Sequence, residues 1–181
     1  MKKTFIFGAA FAALVACGGP KAQELVIGEV SYEGELTEVA MTPTTPNCPE
    51  YVVVNRPQVK LEDFPMDADG FYVIFNGNEK MQGWRGYGKD NIPSRWSVED
   101  GCIKFTGSGG GEAQTGEGGD LLFAHKFKNF ILEMEWKVSK GGNSGIFYLA
   151  QEIKNANGNY EPMYLSAPEC QVLDNQNHPD A

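Results

Sequence analysis

Six polar side chains lie within ten residues near the carboxyl end of the sequence, and they are well suited to chemistry. They are Glu169, Gln171, Asp174, Asn175, Asn177 and His178. Carboxylate and amide groups bind sugar hydroxyls or hard cations, and an imidazole transfers protons near neutral pH. This segment therefore predicts a polar site at a strand end and its following loop. The alternative is an ordinary turn, because Asn and Asp are frequent turn formers.

A second candidate pair is Glu133 and Glu135, which lie two residues apart in a strand-like run. Such spacing puts both side chains on one face, about 7 Å apart. Carboxyl groups at such distances serve in glycosidic bond cleavage. Acidic side chains are also common on exposed sheet faces, so the alternative is a purely solvated pair.

The tryptophans raise the question of sugar stacking, because an aromatic face packs well on the apolar side of a pyranose. Trp136 falls on the predicted core face of its strand and is excluded. Trp84, between glycines in the run 83–87, remains the candidate for substrate stacking. His125, beside a predicted loop, is interpreted as a surface residue and not as a ligand.

Two strands must position these groups. The run Phe130–Val138 alternates strictly, with apolar side chains on one face and Glu133, Glu135 and Lys137 on the other. In the run 169–174, Glu169 and Gln171 share one face, while Cys170 and Val172 share the opposite face. Each strand is therefore predicted to have a core face and a solvent face.

Turn signals separate these strands from others. Asp100-Gly101 lies between the runs 96–98 and 102–105, and an Asp-Gly step supplies the positive φ angles of a tight hairpin. Residues 141–145 are interpreted as a turn that precedes a return strand at 146–149. Short strands at regular spacing, without any helix of three turns, predict an all-β fold built as a two-sheet sandwich.

Composition limits the other classes of function. The chain has 181 residues, which allows one globular domain, and a formal net charge of −9. Phosphate-backbone binding needs Lys and Arg to displace counterions, so nucleic acid is not an expected partner. The Gly and Pro content, with 41% hydrophobic residues, excludes a disordered chain or a coiled coil.

The first 16 residues have the features of an export signal: a basic start at Lys2 and Lys3, then an apolar run too short for a stable membrane anchor. The run ends in Leu-Val-Ala-Cys17, which resembles the bacterial lipobox, where the cysteine thiol carries diacylglycerol. The sequence therefore predicts lipidation of Cys17 and a location in the bacterial cell envelope, lipid-anchored at the outer membrane. An ordinary secretory signal with a chance cysteine is the alternative.

With Cys17 in the anchor, three cysteines remain in an oxidising compartment: Cys48, Cys102 and Cys170. At most one internal disulfide is then possible. For Cys102 and Cys170, small buried apolar side chains are favoured over a disulfide between them. No Cys-x-x-Cys and no paired histidine spacing supports a structural zinc site.

The domain organisation follows from these features. Residues 1–16 are predicted as the lipoprotein signal peptide. Residues 17–65 are predicted as a tether and a peripheral extension with one or two strands, interrupted by the prolines of 41–49. Residues 66–181 are predicted as the sandwich domain.

Six ordered motifs in the predicted sandwich domain, residues 66–181, resemble the bacterial 3-keto-disaccharide hydrolase domain family. They are Phe75–Trp84, Trp96–Gly101, Gly118–Leu122, Phe130–Trp136, Gly141–Ile146 and Glu169–Asn175 with His178. The resemblance covers residues 71–181 and implies a concanavalin-like jelly roll, often exported as a lipoprotein. Members of the family continue past the Asp-Asn…His segment with further strands, so the resemblance also implies an unfinished sandwich in a chain that stops at Ala181.

The resemblance implies cleavage of glycosides whose sugar is already oxidised at C3. A C3 ketone acidifies the C2 proton, so a base forms an enediolate and the C1 substituent leaves by elimination, before water adds. Our hypothesis gives the proton transfers to His178 or Asp174. Glu169 is a further catalytic candidate, which with its partners would bind the substrate or a divalent metal ion. The proposed binding residues are Glu135, Asn143, Gln171, Asn175 and Trp84.

Two other functions stay open at this point. A jelly roll is also a lectin scaffold, so a carbohydrate-binding lipoprotein without catalysis is one alternative. The other is an ordinary two-carboxylate glycosidase, which would have to use Glu133 and Glu135 on one strand.

Overall fold

The structure is a computed structural model that describes residues 2–10, 25–43, 48–107 and 118–180. The described strands are β1 Lys2–Ala10, β2 Tyr32–Glu33, β3 Thr37–Ala40, β4 Val52–Asn55, β5 Gln58–Val59, β6 Trp84–Gly86, β7 Trp96–Glu99, β8 Cys102–Phe105, β9 Leu121–Phe123, β10 Phe127–Glu135, β11 Asn143–Phe147, β12 Glu152–Lys154 and β13 Glu169–Leu173. Two short 3-10 turns, η1 Leu61–Asp63 and η2 Met163–Leu165, are the helical elements of these ranges. The predicted all-β class is confirmed.

The strands pair antiparallel in small sheets. A three-stranded sheet has the order β12-β4-β3, and the described pairs are β1 with β10, β2 with β5, β6 with β9, β7 with β8 and β11 with β13. The β7–β8 hairpin is confirmed, with Asp100 at φ 52° and Gly101 at φ 69° in its turn. Positive φ at both central residues is what an Asp-Gly step supplies.

The larger of two buried apolar clusters in the described residues collects most of the inward side chains of these pairs. Phe123, Ile103, Leu121 and Ile146 are each at most 2% exposed, and they belong to one apolar cluster. β10 and the residues after it contribute alternate side chains to this cluster: Met134 is buried, while Leu132 in β10 and then Trp136 and Val138 beyond its end pack against the cluster. The predicted core face of this strand is therefore confirmed. Strand pairs packed around a shared core are the arrangement of a β-sandwich.

The segment predicted as a peripheral extension contributes to the core in its described part. Val54 is 2% exposed and Val59 is fully buried. β4 also lies between β3 and β12, so it is an internal strand of its sheet. Alternation in 25–65 is weak in the sequence because several strands there have only two to four residues and β3 is exposed throughout.

A buried ion pair lies beside this segment, which adds Arg56 to it. The Arg85 guanidinium donates to both carboxylate oxygens of Glu152, at 2.7 and 2.5 Å, and the N–H of Gly88 donates to the same carboxylate at 2.7 Å. Arg56 directly follows β4, and its Nε atom lies 3.4 Å from Oε1 of Glu152. The same guanidinium also contacts the Asp90 carboxylate. A charge so deeply buried is stable only when it is paired and hydrogen-bonded in this way.

Part of the predicted export signal lies within the described residues. Lys2–Ala10 forms β1, whose register places Lys2 opposite Glu135 and Ala10 opposite Phe127. Cys17 lies outside the described residues, and its lipidation stays a prediction. Cys170 carries a free thiol and packs against the core cluster, so the preference for a small apolar side chain over a Cys102–Cys170 disulfide is confirmed for Cys170. Cys102 is disulfide-bonded, so the prediction of a free apolar cysteine is wrong for this residue. Cys48 is also free and is exposed.

Candidate active site

The β11–β13 pair presents one face to the core and one to solvent. Ile146 lies opposite Cys170 and Ser144 lies opposite Val172; Ile146 and Val172 are 1% and 7% exposed. The alternate positions bear Glu169 and Gln171, both exposed. The predicted division of this strand into two faces is therefore confirmed. Its solvent face carries the candidate groups.

Gly145 sets the position of the Glu169 side chain. In the register, Gly145 lies opposite Gln171, two residues along β13 from Glu169 and on the same face. A Cβ atom at position 145 would lie 1.7 Å from the Oε1 atom of Glu169 and 2.5 Å from its Cγ atom. The Glu169 side chain thus lies across the strand at a point where any other residue would displace it.

The surroundings of the Glu169 carboxyl group favour its protonated form. Partial burial raises its pKa above the ordinary value, although a hydrogen bond from Gln171 Nε2 to Oε2, 2.7 Å long, acts in the opposite direction. Desolvation destabilises the charged form, while a donor to the carboxylate stabilises it. A carboxylate with a raised pKa is a stronger base than an ordinary one, which suits general base catalysis.

Asp174, at the other end of β13, has a different environment. Its carboxylate accepts hydrogen bonds from the N–H of Gly141 at 2.8 Å, from Asn177 Nδ2 at 2.7 Å and from the N–H of Gln176 at 3.1 Å. These donors lower its pKa, with Gly141 the largest cause. Such a carboxylate is a weak base, and its contacts join two turns. This geometry favours the turn-forming alternative for Asp174.

His178 is held by the same turn. Its N–H donates to the carbonyl oxygen of Asp174 at 2.9 Å, and its Nδ1 accepts a hydrogen bond from the N–H of Asp180 at 3.2 Å. Because Nδ1 acts as an acceptor, the neutral ring carries its proton on Nε2. The imidazole side chain is 14% exposed. His178 therefore has a hydrogen-bond donor at Nε2 for a ligand.

The remaining binding candidates do not all share this face. Asn143 lies opposite Leu173 on β11, two residues before Gly145, so it shares the solvent face with Glu169 and is exposed. Asn175 is exposed in the turn after β13. Glu135 is exposed at the end of β10, in a strand pair separate from β11–β13. The structure brings together Asn143, Glu169 and Gln171, but it does not join Glu135 to them.

The prediction that Trp84 stacks on a sugar is wrong. Trp84 is 4% exposed, its Nε1 donates to the carbonyl oxygen of Ile74 at 2.8 Å, and its ring meets Phe123 edge-on at 5.5 Å. The neighbouring glycines, Gly83 and Gly86, lie just before β6 and at its end, and β6 pairs with the buried strand β9.

Sequence reasoning missed the role of Gly145. The sequence predicts a turn over 141–145. In the structure the turn ends earlier: the N–H of Gly142 donates to the carbonyl oxygen of Ser139, and β11 begins at Asn143. A glycine inside a strand signals the close approach of another group, and here that group is the Glu169 side chain. His125 is half-buried, with Nδ1 2.8 Å from the carbonyl oxygen of Val59.

Two further properties concern ions and membranes. Within the described ranges, no group of three or more His, Cys, Asp and Glu side chains is placed to hold a metal ion. The same ranges contain no helix with the length and apolar character to cross a bilayer.

The fold and the site together define a class: an all-β domain with carboxylate, amide and imidazole groups on a solvent-exposed sheet face and in the turn that follows it. A comparison with protein families matches residues 70–181 to the 3-keto-alpha-glucoside-1,2-lyase-like domain. The chain belongs to this family, and the resemblance noted from its motifs is confirmed.

A curated relative gives a second comparison. The chain is 56% identical over 172 residues to a protein of Bacteroides thetaiotaomicron named 3-keto-disaccharide hydrolase. The alignment covers 93% of this chain and 55% of the relative. The chain thus spans about half the length of the curated relative that it matches.

Proposed function

We propose that this protein cleaves 3-keto glycosides, including 3-keto disaccharides, by elimination followed by hydration. The relative's name and the family both support this reaction class. The observation that carries the proposal is the Glu169 carboxyl group, which lies over Gly145 with a raised pKa on a solvent-exposed sheet face.

The reaction follows from the acidity that the ketone creates. A base removes the proton at C2, and the C2–H electron pair forms a double bond to C3 while negative charge moves to the ketone oxygen. The negative charge on that oxygen then re-forms the C3 carbonyl, and the electron pair of the C2–C3 double bond moves to form a C1–C2 double bond. The C1–O bond breaks, and the leaving oxygen takes up a proton. Water adds to C1 and a proton returns to C2. The route needs a base, an acid and donors at the ketone oxygen.

The chain offers a residue for each role. Glu169 acts as the base at C2, since its carboxyl group has the raised pKa. Gln171 orients Glu169 through their 2.7 Å hydrogen bond. His178, once it has taken up a proton and become an imidazolium, supplies a proton from Nε2 to the leaving oxygen, and the side-chain amide of Asn143, on the face of Glu169, donates a hydrogen bond to the ketone oxygen.

Asp174 and Asn175 have supporting roles in this proposal. The Asp174 carboxylate holds the turn that carries His178, through its bonds to Gly141 and Asn177. Asn175 is exposed in that turn and binds a sugar hydroxyl. Glu135 stands on another strand pair, so a role for it in binding rests on the sequence alone.

We also propose that the protein is an exported lipoprotein of the bacterial cell envelope, with a jelly-roll arrangement of its sheets. The basic start, the apolar run and the residues before Cys17 support export and lipidation. Removal of residues 1–16 leaves 13 basic and 24 acidic side chains in the rest of the sequence. It would also remove β1 and leave the edge of β10 available for pairing with another strand.

The test compares two substrates. The purified protein is incubated, with and without EDTA, with a 3-keto glucoside that carries a chromogenic aglycone, beside the same unoxidised glucoside. We expect release from the keto form alone. Release from the unoxidised glucoside would instead support a two-carboxylate glycosidase. A folded protein that binds glycans reversibly and releases nothing from either substrate would be a carbohydrate-binding module.

A further inference from the structure

The η2 turn packs against one end of the sheet face that carries Glu169. Phe147 lies directly opposite Glu169 in the β11–β13 register, so the two side chains share a face. Phe147 belongs to one buried cluster with Met163, the first residue of η2. The turn therefore packs on the Glu169 side of the sheet, at the end away from Asp174 and His178.

This turn is firmly anchored. Met163 is 1% exposed. The Ser166 hydroxyl donates to the carbonyl oxygen of Gln151 at 2.8 Å and accepts from the N–H of Gln151 at 3.2 Å. A further hydrogen bond runs from the N–H of Tyr148 to the carbonyl oxygen of Pro168, the residue before Glu169. These bonds join the segment 148–151, which follows β11, to the segment 163–168, which contains η2.

Three large side chains in the segments 148–151 and 163–168 are exposed to solvent. Tyr164 is 53% exposed, Leu165 is 49% exposed and Leu149 is 41% exposed. Leu149 also has φ 58°, a left-handed conformation that is unfavourable for a leucine. Strained residues persist where the surrounding structure holds them, and they cluster at ligand sites. The exposure of these side chains is thus built into an anchored turn.

We infer that Tyr164, with Leu149 and Leu165, forms a platform on which the second sugar ring of a 3-keto disaccharide packs. This inference rests on the proposed function, and it adds specificity for the leaving sugar. A pyranose has an apolar C–H face that packs on an aromatic ring, while its hydroxyl edges stay hydrated. The platform takes the stacking role that the buried Trp84 does not fill.

The experiment compares a 3-keto glucosyl-glucose disaccharide with methyl 3-keto-glucoside, which lacks the second ring. In Tyr164→Ala we expect KM for the disaccharide to rise about 3- to 10-fold, with kcat nearly unchanged. The methyl glycoside should be cleaved as in the wild type. Tyr164→Phe should retain the wild-type KM because the ring remains. The matched control is Tyr72→Ala, since Tyr72 is also exposed, at 39%, but lies outside these segments.

A binding measurement separates this inference from the proposed function. Disaccharide affinity is measured by calorimetry in Glu169→Gln, with and without Tyr164→Ala. If the wild type releases nothing from either substrate, the proposed function fails, and weaker binding on loss of Tyr164 still supports the platform. Unchanged KM and unchanged affinity in Tyr164→Ala would overturn the platform, as would a folded protein that binds no disaccharide.

Discussion

Glu169 and Asp174 lie at the two ends of the β13 region, five residues apart, yet their surroundings give them opposite properties. Glu169 lies over Gly145 with Gln171 as its hydrogen-bond donor, and burial raises its pKa. Asp174 accepts hydrogen bonds from two backbone N–H groups and an amide, and its pKa is lowered. Two carboxylates close in sequence therefore suit different tasks: Glu169 suits the proton transfer that we propose, and Asp174 holds a turn.

The largest effect is expected for Glu169→Gln. The amide keeps the size of the side chain but removes the base, so turnover of a 3-keto glucoside should fall about 10²- to 10⁴-fold. Steady-state kinetics measure this loss, and circular dichroism checks the fold. Glu135→Gln is the matched control and should change turnover little. Equal losses in both variants would remove the distinction between Glu169 and other exposed carboxylates.

Gly145→Ala tests the position of the Glu169 carboxylate without changing its chemistry. The new methyl group would occupy the place of Oε1, so the side chain must move. We expect turnover to fall about 10- to 100-fold, because a displacement of about 1 Å has that effect on a catalytic group. Gly28→Ala is the control, since it has no atom within 4 Å of the added Cβ. A fully active Gly145→Ala variant would contradict the placement of the base.

The pH dependence of kcat/KM sharpens the same comparison. Because the pKa of Glu169 is raised, the acid limb of the profile should have its midpoint above about 4.3, the ordinary value for glutamate. In Gly145→Ala the carboxylate moves toward solvent, so the midpoint should fall toward that value. A midpoint below 4 in the wild type would point to a carboxylate like Asp174.

Asp174→Asn should affect stability more than chemistry. A depressed folded pKa gives stability that is present above the unfolded value of about 3.9 and is lost as pH falls through the folded value. The variant should therefore melt at a lower temperature than the wild type at pH 7, and the difference should shrink near pH 3. Thermal melts by circular dichroism measure both. A difference that does not change with pH would exclude a contribution from the ionised carboxylate.

Local sequence signals predicted the parts of the fold that depend on neighbouring residues. The Asp100-Gly101 hairpin, the core face of β10 and the two faces of β13 follow from turn chemistry and from alternation. Contacts between distant segments gave no such signal. The Arg85–Glu152 ion pair joins residues 67 positions apart, and the buried side chain of Val59 comes from a segment with weak alternation.

The candidate site shows the same limit. Glu169, Gln171, Asp174 and His178 were found because they are concentrated in one short segment. The opposite pKa shifts of Glu169 and Asp174 depend on the hydrogen-bond donors around each carboxylate and on the space that each side chain occupies. Gly145 provides that space from another strand. The prediction for Trp84 was wrong because its burial depends on β9, a strand distant in sequence that pairs with β6.

The most direct test of this account is exchange of the C2 proton of a 3-keto glucoside with deuterated water, followed by NMR. The wild type and Asp174→Asn should both exchange this proton faster than the enzyme-free substrate, and Glu169→Gln should not exceed that background. Rapid exchange in Glu169→Gln, together with loss of exchange in Asp174→Asn, would show that the two carboxylates have been assigned the wrong way round.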